Sequence, residues 1–232
     1  MRRIYASLLP VAALLSLACT SKAQNESSRE VAGGGVSVKG WTGQVDPGEA
    51  KRGQALKNAK LANDGSSLHV TTGPAVAYWN PSNTASGEYT VKATFTEPKY
   101  MNLNDHPHPY GIFIGGNDMG TANQSYLYCA TYGTGNFIVR GFGPAPFQMN
   151  GRGEANAAVR KAAAQGSPVT QDIAVSVKGD KVQCSVNGAV VGTYNKSDVV
   201  GAGKLKSTDG VFGIRFSHNT EGLVSGLTVT KP

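Results

Sequence analysis

The feature that most constrains this chain is a two-residue alternation of apolar and polar side chains. In the stretch GEYTVKATFTEP, every second position from Tyr89 to Phe95 is apolar, and threonine or lysine stands between them. The alternation continues in residues 171–194, where the turn signals KGDK and Asn187-Gly188 interrupt it. Because successive side chains of a strand point to opposite faces of a sheet, this period describes strands with one buried face. We predict that residues 171–194 form an antiparallel three-stranded meander with a tight hairpin turn at Asn-Gly.

Further strands are predicted across most of the remaining chain. Short apolar runs occur in SSLHVTTG, AVAYWNP, YGIFI, QSYLYCATY, NFIVRGF, DGVFGIRFSH and GLVSGLTVT. Thirty glycines and eleven prolines, with only 16% charged residues, favour turns and short strands over helices. One alanine-rich stretch, residues 154–166, predicts a short helix instead. We therefore expect residues 36–232 to form one all-β domain, a two-sheet antiparallel β-sandwich.

The first residues have the pattern of an export signal. Two arginines precede an apolar run that ends in LSLAC, and Cys19 is the residue that a bacterial lipoprotein would acylate. We predict a signal peptide over residues 1–18, lipidation at Cys19 and a flexible tether over residues 19–35. The protein would then be lipid-anchored in the bacterial cell envelope, in the outer membrane or facing the periplasm. The alternative is ordinary cleavage near Ala18 or Ala23 without a lipid.

Two further cysteines leave two structures open. Cys129 and Cys184 both stand in predicted strands, and an oxidising periplasm would allow them to form a disulfide. Alternatively, both are small buried side chains without a bond. No C-x-x-C motif occurs in the sequence, so a thiolate zinc site and a dithiol redox motif are excluded.

The distribution of charge argues against nucleic acid as a partner. The formal net charge is +7 at pH 7, and no arginine-rich stripe with interleaved aromatic residues accompanies it. A mild basic excess is typical of a solvated surface. We predict no nucleic-acid partner and no membrane contact beyond the lipid anchor, and the sequence does not indicate an oligomeric state.

The order of several short motifs resembles one known fold family. WTG, DGSSLHV, YTVKATF, HPYGIFIGG, QSYLY, VNG and GVFGIRFSHN follow one another as in the concanavalin A-like lectin/glucanase sandwiches. More narrowly, the chain resembles bacterial exported domains of the 3-keto-disaccharide hydrolase-like and laminin G-like types. The resemblance covers nearly all of residues 36–232. It implies a jelly roll with one convex and one concave sheet, and sugars commonly bind on the concave sheet of such domains.

Known catalytic motifs are absent from the sequence. The E-x-D-x-x-E strand motif of the glucanase branch does not occur, and the acidic residues fall mostly beside glycine, proline or asparagine in predicted turns. Nor does the sequence contain a G-x-S-x-G elbow, an H-E-x-x-H motif or a phosphate-binding loop. The sequence therefore identifies no catalytic residue and no cofactor.

Aromatic and basic side chains are better candidates for ligand binding. Tyr126, Tyr128 and Tyr132 fall on one face of a predicted strand, and the leucine and cysteine beside them fall on the other, apolar face. Tyrosine offers a flat surface with a polar edge, which suits the apolar faces of sugar rings. We add Trp79 to this predicted platform, together with Arg140 and Arg215 from mid-strand positions. The alternative is that the arginines are ordinary exposed strand residues and that a long loop covers the tyrosines.

Two of the four histidines stand one residue apart in the segment NDHPHPYGIFIGG. Each precedes a proline, so His106 and His108 are expected in an extended loop before a strand. The loop either faces a ligand or caps the sheet edge without chemistry. A metal site would need further ligands, and the candidates are His69, His218, Asp105 and Asp118. We place His106, His108 and His218 in the ligand-binding site and predict no metal ion.

Together these features predict an exported, lipid-anchored carbohydrate-binding β-sandwich of unknown specificity. One alternative is a glycoside hydrolase of the 3-keto-disaccharide hydrolase-like type, which the resemblance implies, and another is a structural or adhesion protein of the cell surface. The side chains that come together in the groove distinguish a binding protein from an enzyme. An enzyme should bring carboxylates or histidines together in the groove, whereas a binder should show aromatic side chains there without them.

Overall fold

The computed structural model describes residues 27–232, and strands dominate this part of the chain. Its strands are β1 Gly35–Val36, β2 Thr42–Val45, β3 Ala59–Asp64, β4 Ser67–Thr72, β5 Val76–Ala85, β6 Tyr89–Glu97, β7 Tyr110–Asn117, β8 Ser125–Tyr132, β9 Asn136–Phe142, β10 Pro146–Gln148, β11 Glu154–Ala155, β12 Val169–Lys178, β13 Lys181–Val186, β14 Ala189–Asn195, β15 Gly210–Phe216 and β16 Glu221–Thr230. Its short helices are α1 Pro47–Lys51 and α2 Lys196–Val199, with one 3-10 turn at Leu56–Asn58. The predicted all-β class is confirmed.

The strands form two sheets. The first sheet has the order β1-β3-β4-β16-β6-β12-β13-β14, and the second has the order β10-β9-β8-β7-β15-β5-β2, with β11 paired to β9. The neighbours within each sheet are antiparallel, except that β1 runs parallel to β3. Consecutive strands β7, β8 and β9 lie side by side in the second sheet, so the β7–β8 loop and the β8–β9 loop lie at opposite ends of the sheet.

The main core lies between the two sheets and follows the alternation of the sequence. In β6 the side chains of Tyr89, Val91 and Phe95 are at most 1% exposed, while Lys92 between them points outward. The burial of each large apolar side chain contributes roughly 1.5–3 kcal/mol to the stability of the fold. The predicted meander is also confirmed, since β12, β13 and β14 pair in sequence order.

The Asn-Gly turn of this meander has the expected backbone. Asn187 and Gly188 have φ angles of 50° and 87°, as a tight hairpin turn of this kind requires. The side chain of Asn187 also bonds outside the turn, because its Nδ2 donates to the carbonyl oxygen of Ala158 at 2.7 Å. The turn therefore fixes both the hairpin and the long connection that precedes β12.

A disulfide joins the two sheets. Cys129 of β8 and Cys184 of β13 are bonded, with their Cα atoms 5.9 Å apart. Both cysteines lie on the core face of their strands and are at most 2% exposed. Of the two structures that the sequence left open, the disulfide is therefore the one that forms. It links the second sheet to the meander of the first.

The helix predicted for residues 154–166 is wrong. Its first two residues form β11, and the following chain runs through turns that bond to distant segments. The amide of Ala162 donates to the carbonyl oxygen of Gly133 at 2.8 Å. The side-chain amide of Gln171 holds the backbone of Arg160 through two hydrogen bonds, of 3.1 and 2.7 Å. These long-range bonds override the helix propensity of alanine.

Part of the predicted tether packs against the sandwich. The amide of Arg29 donates to Asn219 Oδ1 at 2.8 Å, and the hydroxyl of Ser28 donates to Glu49 Oε2 at 3.0 Å. The tether predicted over residues 19–35 is therefore shorter at its C-terminal end than expected, because hydrogen bonds fix these residues to the domain.

The other N-terminal predictions fall on a part of the chain that the structure does not describe. The signal peptide over residues 1–18 and the lipidation site Cys19 lie outside the described residues. Within residues 27–232, no helix has the length and apolar character needed to cross a bilayer.

Candidate functional site

The second sheet is apolar on its outer face as well as on its core face. Strands β7 and β8 are buried along nearly their whole length, so polar residues do not alternate with apolar ones as on a solvated face. The outer face carries a second apolar cluster, which consists of Ala77, Trp79, Phe113, Tyr126, Tyr128, Ala130, Ile138 and Phe142. Met119, from the loop after β7, packs against this cluster. Loops therefore cover part of the outer face.

A cavity of about 270 Å³ opens on the uncovered part of this face. It lies where β7 begins and where β8 and β15 end, and β9 closes one side. Its aromatic and polar walls come from His106, His108, Tyr128, Tyr132, Arg140, Arg215 and Ser217. Ala130 and Ile138 also line it. Four separate parts of the chain, the loop before β7 and strands β8, β9 and β15, thus supply one site.

Small residues leave room for the long side chain of Arg215 on the sheet surface. In the register of the sheet, Arg215 stands between Ala77 of β5 and Gly111 of β7, and Gly111 pairs with Ala130 of β8. A Cβ atom at position 111 would come within 2.0 Å of the carbonyl oxygen of Cys129, so only glycine fits there. The guanidinium can therefore lie across the face of the sheet.

The guanidinium of Arg215 is fixed from three sides. Its Nη2 donates to Asp46 Oδ2 at 2.5 Å, its Nη1 donates to the carbonyl oxygen of Phe216 at 3.0 Å, and its central carbon lies 4.8 Å from the ring centre of Tyr128. Burial alone would lower the pKa of Arg215, but the Asp46 carboxylate and the hydroxyls of Tyr126 and Tyr128 outweigh it and raise that pKa. Arg215 is therefore a buried cation at every physiological pH.

Asp46 is the residue that sequence reasoning missed. It stands before a proline, as the carboxylates of predicted turns do, and lies between β2 and α1, but it is largely buried against Arg215. Burial raises the pKa of Asp46, and the guanidinium of Arg215 lowers it in opposition. The partners are 169 residues apart in sequence, so no local pattern indicates the pair.

Arg140 forms the opposite wall of the cavity. It pairs with Tyr128 in the register of β8 and β9, so the two side chains lie side by side on the outer face. Its Nη2 donates to the carbonyl oxygen of Gly151 at 3.1 Å. Its buried Nε makes no hydrogen bond with any of the described residues, and the same is true of the buried Nε of Arg215. Both side chains line the cavity, where a guanidinium can donate to an acceptor group.

Three histidines meet at the rim of the cavity. His106 and His108 come from the loop before β7, and His218 comes from the turn between β15 and β16. The Nε2 atoms of His106 and His108 are 2.8 Å apart. The ring centre of His218 lies 3.9 Å from that of His108 and 6.2 Å from that of His106. We call these three residues the histidine cluster.

Oxygen atoms orient two rings of the histidine cluster. Asp105 Oδ1 lies 2.7 Å from His106 Nδ1, and Ser217 Oγ lies 3.3 Å from His108 Nδ1. Burial, and then the neighbouring His218 and His106, lower the pKa of His108 to about 3, while Asp105 opposes this. His108 is therefore uncharged at neutral pH.

The remaining predicted metal-ligand candidates lie elsewhere. His69 Nε2 is 2.8 Å from Glu221 Oε1 on the first sheet. Asp118 forms an ion pair with Lys206. Of the candidates from distant segments, the structure brings only His218 to the two loop histidines.

The structure separates the predicted ligand-binding residues into two groups. Those that line the cavity are His106, His108, Tyr128, Arg140 and Arg215. His218 does not line the cavity, but its ring contacts that of His108. Trp79 and Tyr126 do not line it. They are 4% and 0% exposed within the apolar cluster of the outer face, so neither offers a free ring face, and Tyr128 and Tyr132 are the tyrosines that line the cavity.

Comparison with known proteins bears on the fold. No protein-family model matches the chain, and no curated protein matches its sequence. Among solved structures, the carbohydrate binding module CBM66 from Bacillus subtilis shares 10% identity at a TM-score of 0.52, over 85% of this chain and 99% of that one. A protein of unknown function with a galectin-like fold, also from Bacillus subtilis, shares 13% identity at a TM-score of 0.54, over 84% and 90%. The endo-β-1,3-glucanase from Pyrococcus furiosus shares 12% identity at a TM-score of 0.52, over 86% and 91%.

These similarities confirm the fold that the sequence motifs implied. The three solved structures are sandwiches of the concanavalin A-like, jelly-roll class, and this chain has the same architecture. Identities of this size show a shared fold and nothing finer.

Proposed function

We propose that this chain binds a saccharide in the cavity on the outer face of the second sheet. The observation that carries the proposal is the guanidinium of Arg215, which Asp46 holds against the ring of Tyr128 in the cavity wall. A fixed guanidinium donates hydrogen bonds to the oxygens of a sugar, and the rings of Tyr128 and Tyr132 add aromatic surface to the cavity wall. Arg140 adds a second donor on the opposite wall.

The shared fold supports a saccharide over other small ligands. One similar structure is named as a carbohydrate binding module, and another is named as a glucanase, so sandwiches of this architecture carry saccharide sites on more than one sequence background. The cavity volume of about 270 Å³ lies just below the range of roughly 300–1,000 Å³ that is typical of small-molecule sites. We therefore expect one end of a glycan to enter, rather than the middle of a long chain.

A glycan array followed by calorimetry tests the proposal. The purified protein should bind a defined group of glycans, and Tyr128→Phe should reduce affinity less than Arg140→Met, because phenylalanine keeps the ring face. A protein that binds no glycan on the array would contradict the proposal and would fit a structural or adhesion role at the cell surface instead.

An enzyme acting on the bound saccharide is the second candidate, and the histidine cluster favours it. Histidines converge at the cavity, and we expected carboxylates or histidines to come together in the groove if the protein is an enzyme. Among the described residues that line the cavity none is a carboxylate, so the paired-carboxylate mechanism of most glycosidases lacks its groups here. Incubation of the protein with glycans found on the array, and with 3-keto-disaccharides, should yield products that disappear in His108→Ala if this candidate is right.

The N-terminal sequence supports a place for this binding activity in the cell envelope. We propose export through the signal peptide of residues 1–18 and lipid anchoring at Cys19, on the basis of the LSLAC pattern. Cys19→Ser should move the protein from the membrane fraction to the soluble fraction. Intact mass of the mature protein should show an acyl-modified cysteine, and cleavage elsewhere without an acyl chain would contradict the anchor.

A further inference from the structure

The histidine cluster has the geometry of a set of metal ligands. One nitrogen from each of His106, His108 and His218 lies within 4.8 Å of the other two. Two nitrogens bound to zinc at about 2.0–2.1 Å in a tetrahedral site lie about 3.4 Å apart. The Nε2 atoms of His106 and His108 are already 2.8 Å apart, so these two rings need to separate only slightly to hold a common ion.

The surroundings of two rings also fit metal binding. A histidine that binds a metal through one ring nitrogen usually contacts a carboxylate, carbonyl or water through the other. Here Asp105 Oδ1 contacts His106 Nδ1 at 2.7 Å, and Ser217 Oγ contacts His108 Nδ1 at 3.3 Å. Both contacts turn the Nε2 atoms of the two rings toward each other.

We propose that His106, His108 and His218 bind one divalent transition-metal ion, which revises the absence of a metal predicted from the sequence. Three imidazoles suit zinc, copper, nickel, cobalt or iron, whereas magnesium and calcium prefer oxygen ligands. Three protein ligands leave at least one coordination position for water or another ligand, as in zinc sites of the open type.

The position of the cluster connects the metal to the cavity. His106 and His108 belong to the histidine cluster and also line the cavity, together with Tyr128 and Arg215. An ion held by these histidines therefore lies at the cavity rim, where its remaining coordination position can take an oxygen of the bound molecule. This last step rests on the proposed saccharide site, but binding of the metal itself does not.

Metal titration in the absence of any saccharide tests the proposal. The full chain, without a histidine tag, is stripped with a chelator and titrated with Zn²⁺ by calorimetry and with Co²⁺ by visible absorption. We expect one ion per chain and cobalt bands of a four- or five-coordinate nitrogen site. Each of His106→Ala and His218→Ala should weaken binding at least about 100-fold, more than loss of an outer partner typically does.

The fourth histidine of the chain supplies the matched control. His69→Ala removes an imidazole that pairs with Glu221 away from the cluster, so it should leave metal affinity unchanged. His108 is only 6% exposed, and if His108→Ala fails to fold, the variants of the partly exposed His106 and His218 still decide the question. Absence of stoichiometric binding, or equal losses in His69→Ala and the cluster variants, would overturn the proposal. Saccharide binding that persists after chelation would separate the metal from the proposed function.

Discussion

Asp46 Oδ2 accepts a hydrogen bond from Arg215 Nη2 at 2.5 Å, and the two side chains are only 17% and 8% exposed. Two charges withdrawn from water in this way gain little net stability from their attraction, because both lose their hydration. The pair instead fixes the guanidinium over Tyr128 in one orientation. The pair therefore positions a side chain of the cavity wall and adds little to the stability of the fold.

Removal of one partner of this pair should destabilise the protein strongly. Asp46→Ala leaves a buried guanidinium without its counter-ion, and we expect the free energy of unfolding to fall by about 3–5 kcal/mol. The double variant Asp46→Leu with Arg215→Met should lose much less stability, because no unpaired charge remains. Urea unfolding of the single and double variants measures both effects. Equal losses in Asp46→Ala and in the double variant would show that the buried charge is not the cause.

Loss of Arg140 should affect saccharide binding without affecting the fold. Its side chain donates to Gly151 and otherwise lies at the cavity wall, so Arg140→Met should lower saccharide affinity about tenfold and change the free energy of unfolding by less than about 1 kcal/mol. Arg160→Met is the matched control, because Arg160 is 53% exposed and does not line the cavity. Calorimetry with a glycan from the array gives the affinities. An unchanged affinity in Arg140→Met would place the ligand elsewhere.

Local patterns in the sequence predicted β6, β12 and β13 because each of these strands buries one face. The alternation in β6, β12 and β13 and the Asn187-Gly188 turn depend on neighbours in sequence, and the structure reproduces them. The segment 154–166 shows where this reasoning fails. Its alanines favour a helix locally, but bonds from Gly133 and Gln171 to its backbone hold it in turns, and no local pattern encodes those partners.

The candidate site could be predicted only in part for the same reason. Arg215, Arg140 and Tyr128 were found because an arginine or tyrosine stands out on an apolar strand. Trp79 and Tyr126 stand out equally, and only the loop that carries Met119 and the rest of the outer cluster show that they are covered. The pairing of Arg215 with Asp46 and the approach of His218 to His108 join distant segments, so they required the folded topology.

Removal of the disulfide should lower the stability of the sandwich. Cys129 and Cys184 are 55 residues apart in sequence, and a cross-link over such a loop stabilises by about 4 kcal/mol in the chain-entropy model. The variant Cys129→Ala with Cys184→Ala avoids two buried thiols and should unfold at a lower denaturant concentration than the oxidised wild type. Wild type in a reducing agent is the control and should behave like the variant. An unchanged midpoint in both would contradict a stabilising cross-link.

Glu97, at the end of β6, is a buried carboxyl group on the first sheet. Its Oε1 accepts a hydrogen bond from the amide of Met101 at 3.0 Å, and its buried Oε2 makes no hydrogen bond with the described residues. Burial raises the pKa of Glu97 to about 7, and the hydrogen bond from Met101 opposes this only partly. The folded state therefore retains a proton that the unfolded chain releases at a lower pH.

This difference predicts the direction of a pH effect on stability. The folded-state pKa of Glu97, about 7, lies above the unfolded value of 4.5. The contribution of protonated Glu97 to stability is therefore complete below the unfolded value and is lost as pH rises through 7. The free energy of unfolding should then fall between about pH 5 and pH 8 by up to about 3 kcal/mol. Glu97→Gln cannot ionise, so its stability should fall less over this range, and other titrating groups cancel in the comparison with wild type. Glu154→Gln, at an exposed position, is the control and should keep the wild-type slope. Urea unfolding across this range decides, and parallel curves for wild type and Glu97→Gln would show that Glu97 does not titrate there.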